Sequence, residues 1–459
     1  MGAASSWTGK KVTVIGFAIE GEDMARYFQK RGANVTVSTT RIPAAMQEKR
    51  IELESHGVRF HVGPNDPADV AGADLVCVTQ GVPQGNPAVV TAREHGIPVQ
   101  SMTSMFFEAY PGPICGITGS SGKTTTTSLV DAVFSAAGRE HVLGGNIGVG
   151  LMSLLDGAVP ERWAVLEVSH TQLVLTGRSP RVAAVTNVTP NHLDQFSWEE
   201  YVALKRRIFE MQGHDDRTVF NLDDRVSSAF RHEGNGRVFL FSIEGDHACD
   251  GAFVKDRSLF WRVDARTEKV IGVDEVPLRG QHNVANVAAA TAVAAACEIG
   301  PEAVAAAVRG FKAPAHRLEL VGSIRGVSYY NDSIATAPER TLAALRSFSQ
   351  PIVLLLGGRD KNLPLEDMLE EAMRRCRVAV CFGESGPMLA DAAARAGVAV
   401  TRARDLPEAF KSAQTLARDG DIVLLSPACT SFDTYENFEQ RGEEFRRLVR
   451  QIEAEGDGR

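Results

Sequence analysis

Cysteine is scarce and unpaired in this sequence: there are 7, and none sits in a C-x-x-C arrangement. That spacing supports neither a disulfide framework nor a zinc site, and it points to a reducing compartment. Positive charge is also short. Asp and Glu number 57 against 49 Lys and Arg, for a formal net charge of −8. A generic nucleic-acid surface is excluded on those terms, so an anionic ligand must be held by a few placed cations and by backbone N–H groups. No apolar run approaches the ~20 residues of a membrane span. The opening MGAASSWTGKKVTVIGFA has no basic segment followed by a long apolar one. No secretory leader is expected, and a cytoplasmic location is. No internal repeat or low-complexity tract is present. What remains is 459 residues, 44% hydrophobic and 23% charged. This is an ordinary globular composition, long enough for about three domains.

Strand and helix patterns alternate along the whole chain, so the expected fold class is α/β. The expected boundaries are 1–103, 104–313 and 314–459. In the first block KVTVIGFAIEG reads as a strand running into a Gly turn, EDMARYFQKRG as an amphipathic helix, and ANVTVSTTR and ADLVCVTQG as further strands. This is a βαβ order with a nucleotide-type first turn. Gly16, Ala18 and Gly21 make the turn imperfect, and tight βα packing explains it as well as a bound dinucleotide does. In the second block the polar stretch 230–276 reads as a small β excursion. The third block ends its apolar strands in loops of small and polar residues, as in GVSYYNDS, PIVLLLGGRDKN and DIVLLSPACTS. Such loops are where open α/β sheets bind ligands.

The second block opens on ITGSSGKTTTTSLV, residues 117–130: a strand, a Gly/Ser turn, a lysine and a helix. Here Gly119, Ser120, Ser121, Gly122, Lys123, Thr124 and Thr125 have the context of a phosphate loop. Glycines let backbone N–H groups curl around an anion, and the helix start adds its positive end. Lys123 supplies a point charge and Thr124 a hydroxyl for Mg²⁺. Glu167 ends the strand WAVLEV, where a carboxylate could hold the metal. His192 follows the strand RVAAVT and by itself is as well explained by structure as by ligation. Lys205 lies mid-helix in SWEEYVALKRRIFEM, capped by Ser197 and Glu200. It falls near the middle of the apolar face of Trp198, Tyr201, Val202, Leu204, Ile208 and Phe209. A lysine that only snorkels fits that position poorly, and burial there favours the neutral amine.

These segments resemble the Mur ligases. ITGSSGKTTTT is similar to their T-G-[ST]-x-G-K-[ST]-T loop, and NVTPNHLDQF…YVALKRRIF to N-V-x-x-[DN]-H-[LM]-D…K-x-x-I. The resemblance implies three domains: a Rossmann-like N-terminal domain for a UDP-substrate, a central P-loop ATPase-type domain, and a Rossmann-like C-terminal domain for an amino acid. It implies ATP, two Mg²⁺, and a CO₂-derived carbamate on Lys205. Thr124, Glu167, His192 and the carbamylated Lys205 then hold metal. Lys123, Glu167, His192, Lys205 and Arg317 become catalytic. Asn283 and Asn286 of GQHNVANV match the family's H-N-x-x-N, although helix capping would explain them on spacing alone. Arg317 of PAHRLEL and Asp332 of NDSIAT match nucleotide contacts, with the arginine gripping phosphate. Gly16, Phe17, Ala18, Arg41, Gly81, Asn146, Ser169, Gln172 and His192 are expected to hold the UDP-substrate. His170 and Thr171 depart from the family wording there, and Thr39 stands where an aspartate is common.

The C-terminal LLLGGRDKNL and SPACTSFDTYENFEQRG resemble members that add glutamate, which places Thr336, Lys361, Ser431 and Phe438 around it. The implied enzyme is an ADP-forming acid–amino-acid ligase of cytoplasmic peptidoglycan precursor synthesis. It acts on UDP-MurNAc-L-Ala, ATP and glutamate as a monomer, with no nucleic acid and no membrane insertion. D-Glutamate leads, and L-glutamate stays open because Ile334 replaces a common lysine. A folylpolyglutamate-type amide ligase, an NAD-dependent oxidoreductase and a non-catalytic nucleotide switch are the rivals. Ala18 and Thr39 count against the second, and the trio of Glu167, His192 and Lys205 against the third.

Overall fold

The computed structural model describes residues 7–147, 150–191, 195–311 and 315–457. Their internal contacts define two compact units, Met1–Glu275 with Ala285–Phe311, and Val276–Val284 with Lys312–Arg459. The helix Gln281–Ala296 begins in the second unit and continues in the first.

The first unit holds two sheets. One is five-stranded and wholly parallel, in the spatial order Arg59–Val62, Asn34–Thr39, Lys11–Ile15, Leu75–Val78, Val99–Ser101. Side chains alternate across its pleat. Val12, Val14, Val35, Val37, Leu75 and Cys77 enter one core, and Ile15, Val76 and Val78 enter another with Val70, Ala88 and Val89. Both faces are covered, as a parallel sheet requires. The first core does not stop at this sheet. It continues through Phe106, Phe107, Leu151 and Met152 to Leu166 and Leu173, so both sheets of the unit share one buried apolar body.

The second sheet has nine strands. Ile114–Thr118, which leads into the phosphate-type loop, is flanked by Trp163–Glu167 and Val182–Val185, all parallel. The excursion expected at 230–276 consists of Arg237–Ser242, Gly251–Lys255, Ser258–Val263 and Arg266–Gly272. These strands extend the same sheet at its edge, the first two by parallel and the last two by antiparallel pairing.

The helix around Lys205 is shorter than its periodicity suggests. It spans Trp198–Arg206, with the Ser197/Glu200 capping box at its start. The apolar pattern runs on, but the last turn tightens: the Phe209 N–H donates to Arg206 O at 3.0 Å, and the Met211 N–H turns away to Ser179 Oγ at 3.1 Å.

The second unit carries a six-stranded sheet ordered Glu319–Ile324, Val327–Asn331, Ile422–Ala428, Ile352–Gly357, Cys376–Phe382, Val400–Arg402. Only the first pairing is antiparallel. Leu354 and Leu356 face one core and Val353 and Leu355 the other. Among the described residues no helix is long and apolar enough to cross a membrane.

Candidate active site

The loop after Ile114–Thr118 turns through two glycines that no other residue could replace without strain. Gly119 has φ 153° and Gly122 φ 78°. A Cβ at Gly119 would strike the Thr186 hydroxyl, and one at Gly122 the Asn286 amide oxygen. Gly122 then starts the helix Lys123–Ala136, and no side chain caps it. The first helical turn therefore presents N–H groups and the positive end of the helix dipole to the loop mouth. The loop is pinned from behind. The Ser120 N–H donates to Asn187 O and the Ser121 N–H to Asn187 Oδ1, both at 2.9 Å. Ser120 Oγ bonds Thr189 O at 2.9 Å and the Tyr201 hydroxyl at 3.0 Å. Lys123 Nζ folds onto the loop's own carbonyls, Gly119 O at 2.9 Å and Ser120 O at 3.1 Å. Thr124 is half-buried at the helix start, and the Thr125 side chain is buried.

Lys205 is completely buried beneath this loop. Its Nζ donates to Thr118 Oγ1 at 3.1 Å and Gly119 O at 3.0 Å, and lies 5.3 Å from the centre of the Tyr201 ring. Burial, reinforced by the like charge of Lys123, pushes its basicity well below that of an ordinary lysine; Glu167 opposes this in part. The amine is therefore biased toward its neutral, nucleophilic form. Glu167 is 2% exposed at the end of Trp163–Glu167. Asn146 Nδ2 donates to its Oε1 at 2.9 Å, while its buried Oε2 has no hydrogen-bond partner among the described residues. A buried carboxylate oxygen of this kind is costly unless a cation completes it. Among the described residues no group of three His, Cys, Asp or Glu side chains is placed to hold a metal ion. His192 lies outside the described residues.

The described residues predicted for the UDP-substrate follow the carboxyl ends of strands in the two sheets of this unit. Gly16, at φ 94°, packs so closely on Thr79 that a Cβ would strike its hydroxyl. Phe17 is buried edge-on against Phe60, and Ala18 starts the first helix. Arg41 and Gly81 are exposed. Ser169 and Gln172 cap their helical turn reciprocally. Gln80, which the sequence did not single out, gathers them: its Oε1 accepts from Ser169 Oγ at 3.2 Å and from Thr171 Oγ1 at 3.1 Å. Glu20 accepts the Gln80 N–H at 2.9 Å and the Gln172 amide at 3.4 Å, and burial raises its pKa above the ordinary carboxylate value. Asp23 was also missed. Its Oδ2 accepts the Met152 N–H at 2.7 Å and joins the first helix to the segment after Asn146. Burial lifts its pKa to about 6.

In the second unit Asn283 is buried, and its Nδ2 donates to Arg279 O at 2.7 Å, four residues back. Asn286 belongs to the first unit, where its amide oxygen accepts from Thr126 Oγ1 at 3.4 Å. Asp332 is buried at the end of Val327–Asn331, where it accepts from Ser426 Oγ at 2.8 Å and the Leu318 N–H at 3.1 Å. Burial raises its pKa to about 6 against the opposing charge of the half-buried Arg317. Lys361 Nζ reaches Thr336 Oγ1 at 3.4 Å, so two of the predicted amino-acid contacts meet. Ser431 is buried after the strand Ile422–Ala428, and the backbone oxygen of Phe438 accepts from Ser333 Oγ at 2.8 Å. Arg441, never singled out from the sequence, is the largest completely buried side chain of the unit. Its only sequence signal was the charged run NFEQRG beside an apolar helix face.

Three family models match in succession: a Mur ligase MurD-like N-terminal domain over residues 10–101, a Mur ligase middle domain over 117–294, and a Mur ligase glutamate ligase domain over 316–429. A UDP-N-acetylmuramoylalanine--D-glutamate ligase of Symbiobacterium thermophilum is 39% identical over 444 residues, covering 96% of this chain and 98% of the relative. The ligase of the same name from Acidobacterium capsulatum is 39% identical over 445 residues, 96% of each chain. Among solved structures, the UDP-N-acetylmuramate-alanine ligase MurC of Thermotoga maritima superposes with TM-score 0.61 at 19% identity, over 97% of this chain and 99% of that one. MurF of Thermotoga maritima, in complex with ADP, superposes with TM-score 0.58 at 18% identity, over 98% and 100%. At those identities the two structures speak for the fold alone.

Proposed function

This chain belongs to the Mur ligase family, and on that premise we propose that it joins D-glutamate to UDP-N-acetylmuramoyl-L-alanine with the cleavage of ATP to ADP and phosphate, in peptidoglycan precursor synthesis. It is a ligase in this reading, with three small-molecule substrates, working in the cytoplasm as a monomer. The stretches 1–103, 104–313 and 314–459 serve the UDP-substrate, ATP and the amino acid respectively.

One observation carries the chemistry. A buried lysine of low basicity and a buried carboxylate with one oxygen unpartnered among the described residues flank a phosphate-type loop, in a chain matched over 96% of its length by a D-glutamate ligase. The N–H groups from Gly122 to Thr124 and the Lys123 ammonium receive the β- and γ-phosphates of ATP. The L-alanyl carboxylate attacks the γ-phosphorus, ADP leaves, and an acyl phosphate forms. Lys123 and Arg317 offset charge as it develops on the transferring group. The glutamate amine then attacks the acyl carbon; phosphate leaves, the amine loses a proton, and an amide remains. Thr336, Lys361, Ser431 and Phe438 hold that glutamate. Gly16, Phe17, Ala18, Arg41, Gly81, Asn146, Ser169 and Gln172 hold the UDP-substrate, and Asn283, Asn286 and Asp332 the nucleotide.

The donor set fits divalent magnesium. Thr124 and Glu167 would hold one ion, and Lys205, carrying a carbamate, would hold a second with His192. Magnesium supplies neutralisation of phosphate charge. The chain's own contribution to the carbamate is the neutral amine of Lys205. Its nitrogen adds to the carbon of CO₂, an electron pair moves onto oxygen, and the nitrogen gives a proton to water, which leaves an anion beneath the loop.

The test is phosphate release with ATP, UDP-MurNAc-L-Ala and each glutamate enantiomer in turn. D-Glutamate should yield phosphate and a new amide together. Release with L-glutamate alone would overturn the enantiomer, and release with neither would overturn the reading.

A further inference from the structure

Arg441 lies on the long helix Phe438–Asp457 and is completely buried. Among the described residues it forms no ion pair. Its Nε donates to Ser333 Oγ at 3.0 Å, Nη2 to Ser333 O at 2.9 Å and Cys429 O at 3.1 Å, and Nη1 to Gly357 O and Thr430 O, both at 3.2 Å. All five bonds end on neutral oxygens. A buried guanidinium without a carboxylate is expensive, and here the cost shows as a pKa brought down to about 10 by burial. Asp433 acts on it only at longer range and spends one carboxylate oxygen on the Glu384 N–H.

The acceptors are not scattered. Ser333 follows the strand Val327–Asn331, Gly357 ends Ile352–Gly357, and Cys429 and Thr430 follow Ile422–Ala428. Those strands are neighbours in the sheet. One planar side chain therefore ties the carboxyl ends of three adjacent strands. The loops it ties carry Thr336, Lys361 and Ser431. Two are also stitched to each other, by paired Arg359–Thr430 backbone bonds of 2.9 Å. The fit is tight enough that a Cβ on Gly358 would press on the Thr430 carbonyl and the Arg441 guanidinium.

We propose that Arg441 is a positioning residue for the amino-acid substrate: it sets the register of three strand-end loops and stores a positive charge behind them, so that Thr336, Lys361 and Ser431 converge on a dicarboxylic amino acid. The inference rests on the proposed reading of these loops as the amino-acid pocket. Lysine cannot reproduce it. An ammonium has three donors and no plane, whereas the guanidinium here satisfies five acceptor contacts in one fork.

The test compares Arg441→Met and Arg441→Lys with the parent full-length chain, after checking that each melts cooperatively. KM is measured separately for D-glutamate, ATP and UDP-MurNAc-L-Ala, and acyl-phosphate formation is followed without glutamate by borohydride trapping. The expected result is a KM for D-glutamate raised about tenfold or more in Arg441→Met and by a smaller factor in Arg441→Lys, with the other two KM values and the trapped intermediate unchanged. A general loss of order would raise all three together, and that outcome overturns the proposal, as does an unchanged KM for D-glutamate. If Arg441→Met does not fold, Arg441→Lys decides by the same criterion. A parent that makes no acyl phosphate refutes the ligase reading itself; a parent that makes it, with a variant whose glutamate KM is normal, refutes only this inference.

Discussion

Asp23 allows a prediction that runs against the usual expectation for a buried hydrogen-bonded carboxylate. It is 8% exposed and accepts the Met152 N–H at 2.7 Å, yet burial outweighs that bond and lifts its pKa from 3.8 to about 6, with Glu22 and Asp156 adding repulsion. Below pH 3.8 the folded and unfolded chains both hold the proton. As pH rises toward 6 the unfolded chain has lost it while the folded protein keeps it, so stability falls across that window and the loss is complete above the folded pKa. The rise from 3.8 to about 6 corresponds to ~2–3 kcal/mol. Asp23→Asn has the same shape, can still accept from Met152, and does not titrate. The variant should match the parent near pH 4 and exceed it by ~2 kcal/mol at pH 7.5. Urea unfolding followed by tryptophan fluorescence measures this directly, because all 4 tryptophans, Trp7, Trp163, Trp198 and Trp261, lie in the unit that contains Asp23. Other titrating groups cancel in the difference between the two proteins. A difference that stays flat from pH 4 to 7.5, or a variant weaker than the parent at neutral pH, would refute the reasoning.

Lys205→Ala should lose activity by about a hundredfold or more, with partial recovery in formate or acetate, scored by phosphate release; activity equal to the parent would remove the carbamate from the mechanism. Glu167→Gln keeps an oxygen for Asn146 but no anion for a metal, so the Mg²⁺ concentration for half-maximal rate should rise about tenfold or more in a titration, with thermal stability nearly unchanged. Gly122→Ala must place a Cβ against the Asn286 oxygen at a positive φ. It should cost ~1–3 kcal/mol by denaturation and raise KM for ATP.

The sequence by itself determined the order of strands and helices, the phosphate-type loop and the anomaly of Lys205. Each is written in a short window: alternation with period two, a stripe with period 3.6, glycines where φ must be positive. The same windows misjudged the length of the lysine helix, because tightening of its last turn depends on Ser179, which lies far back in the chain. Only the tertiary structure decided that residues 237–272 complete the edge of the central sheet, that Gln80 gathers Ser169 and Thr171, and that one buried oxygen of Glu167 meets no hydrogen-bond donor among the described residues. It also decided what Lys205 and Arg441 touch: Thr118, 87 residues away, and Ser333, 108 residues away. Local patterning states which side chains must be buried. It does not state which buried polar groups will meet, because chain folding brings those partners together and each polar group then has to bond whatever oxygen or nitrogen it finds there.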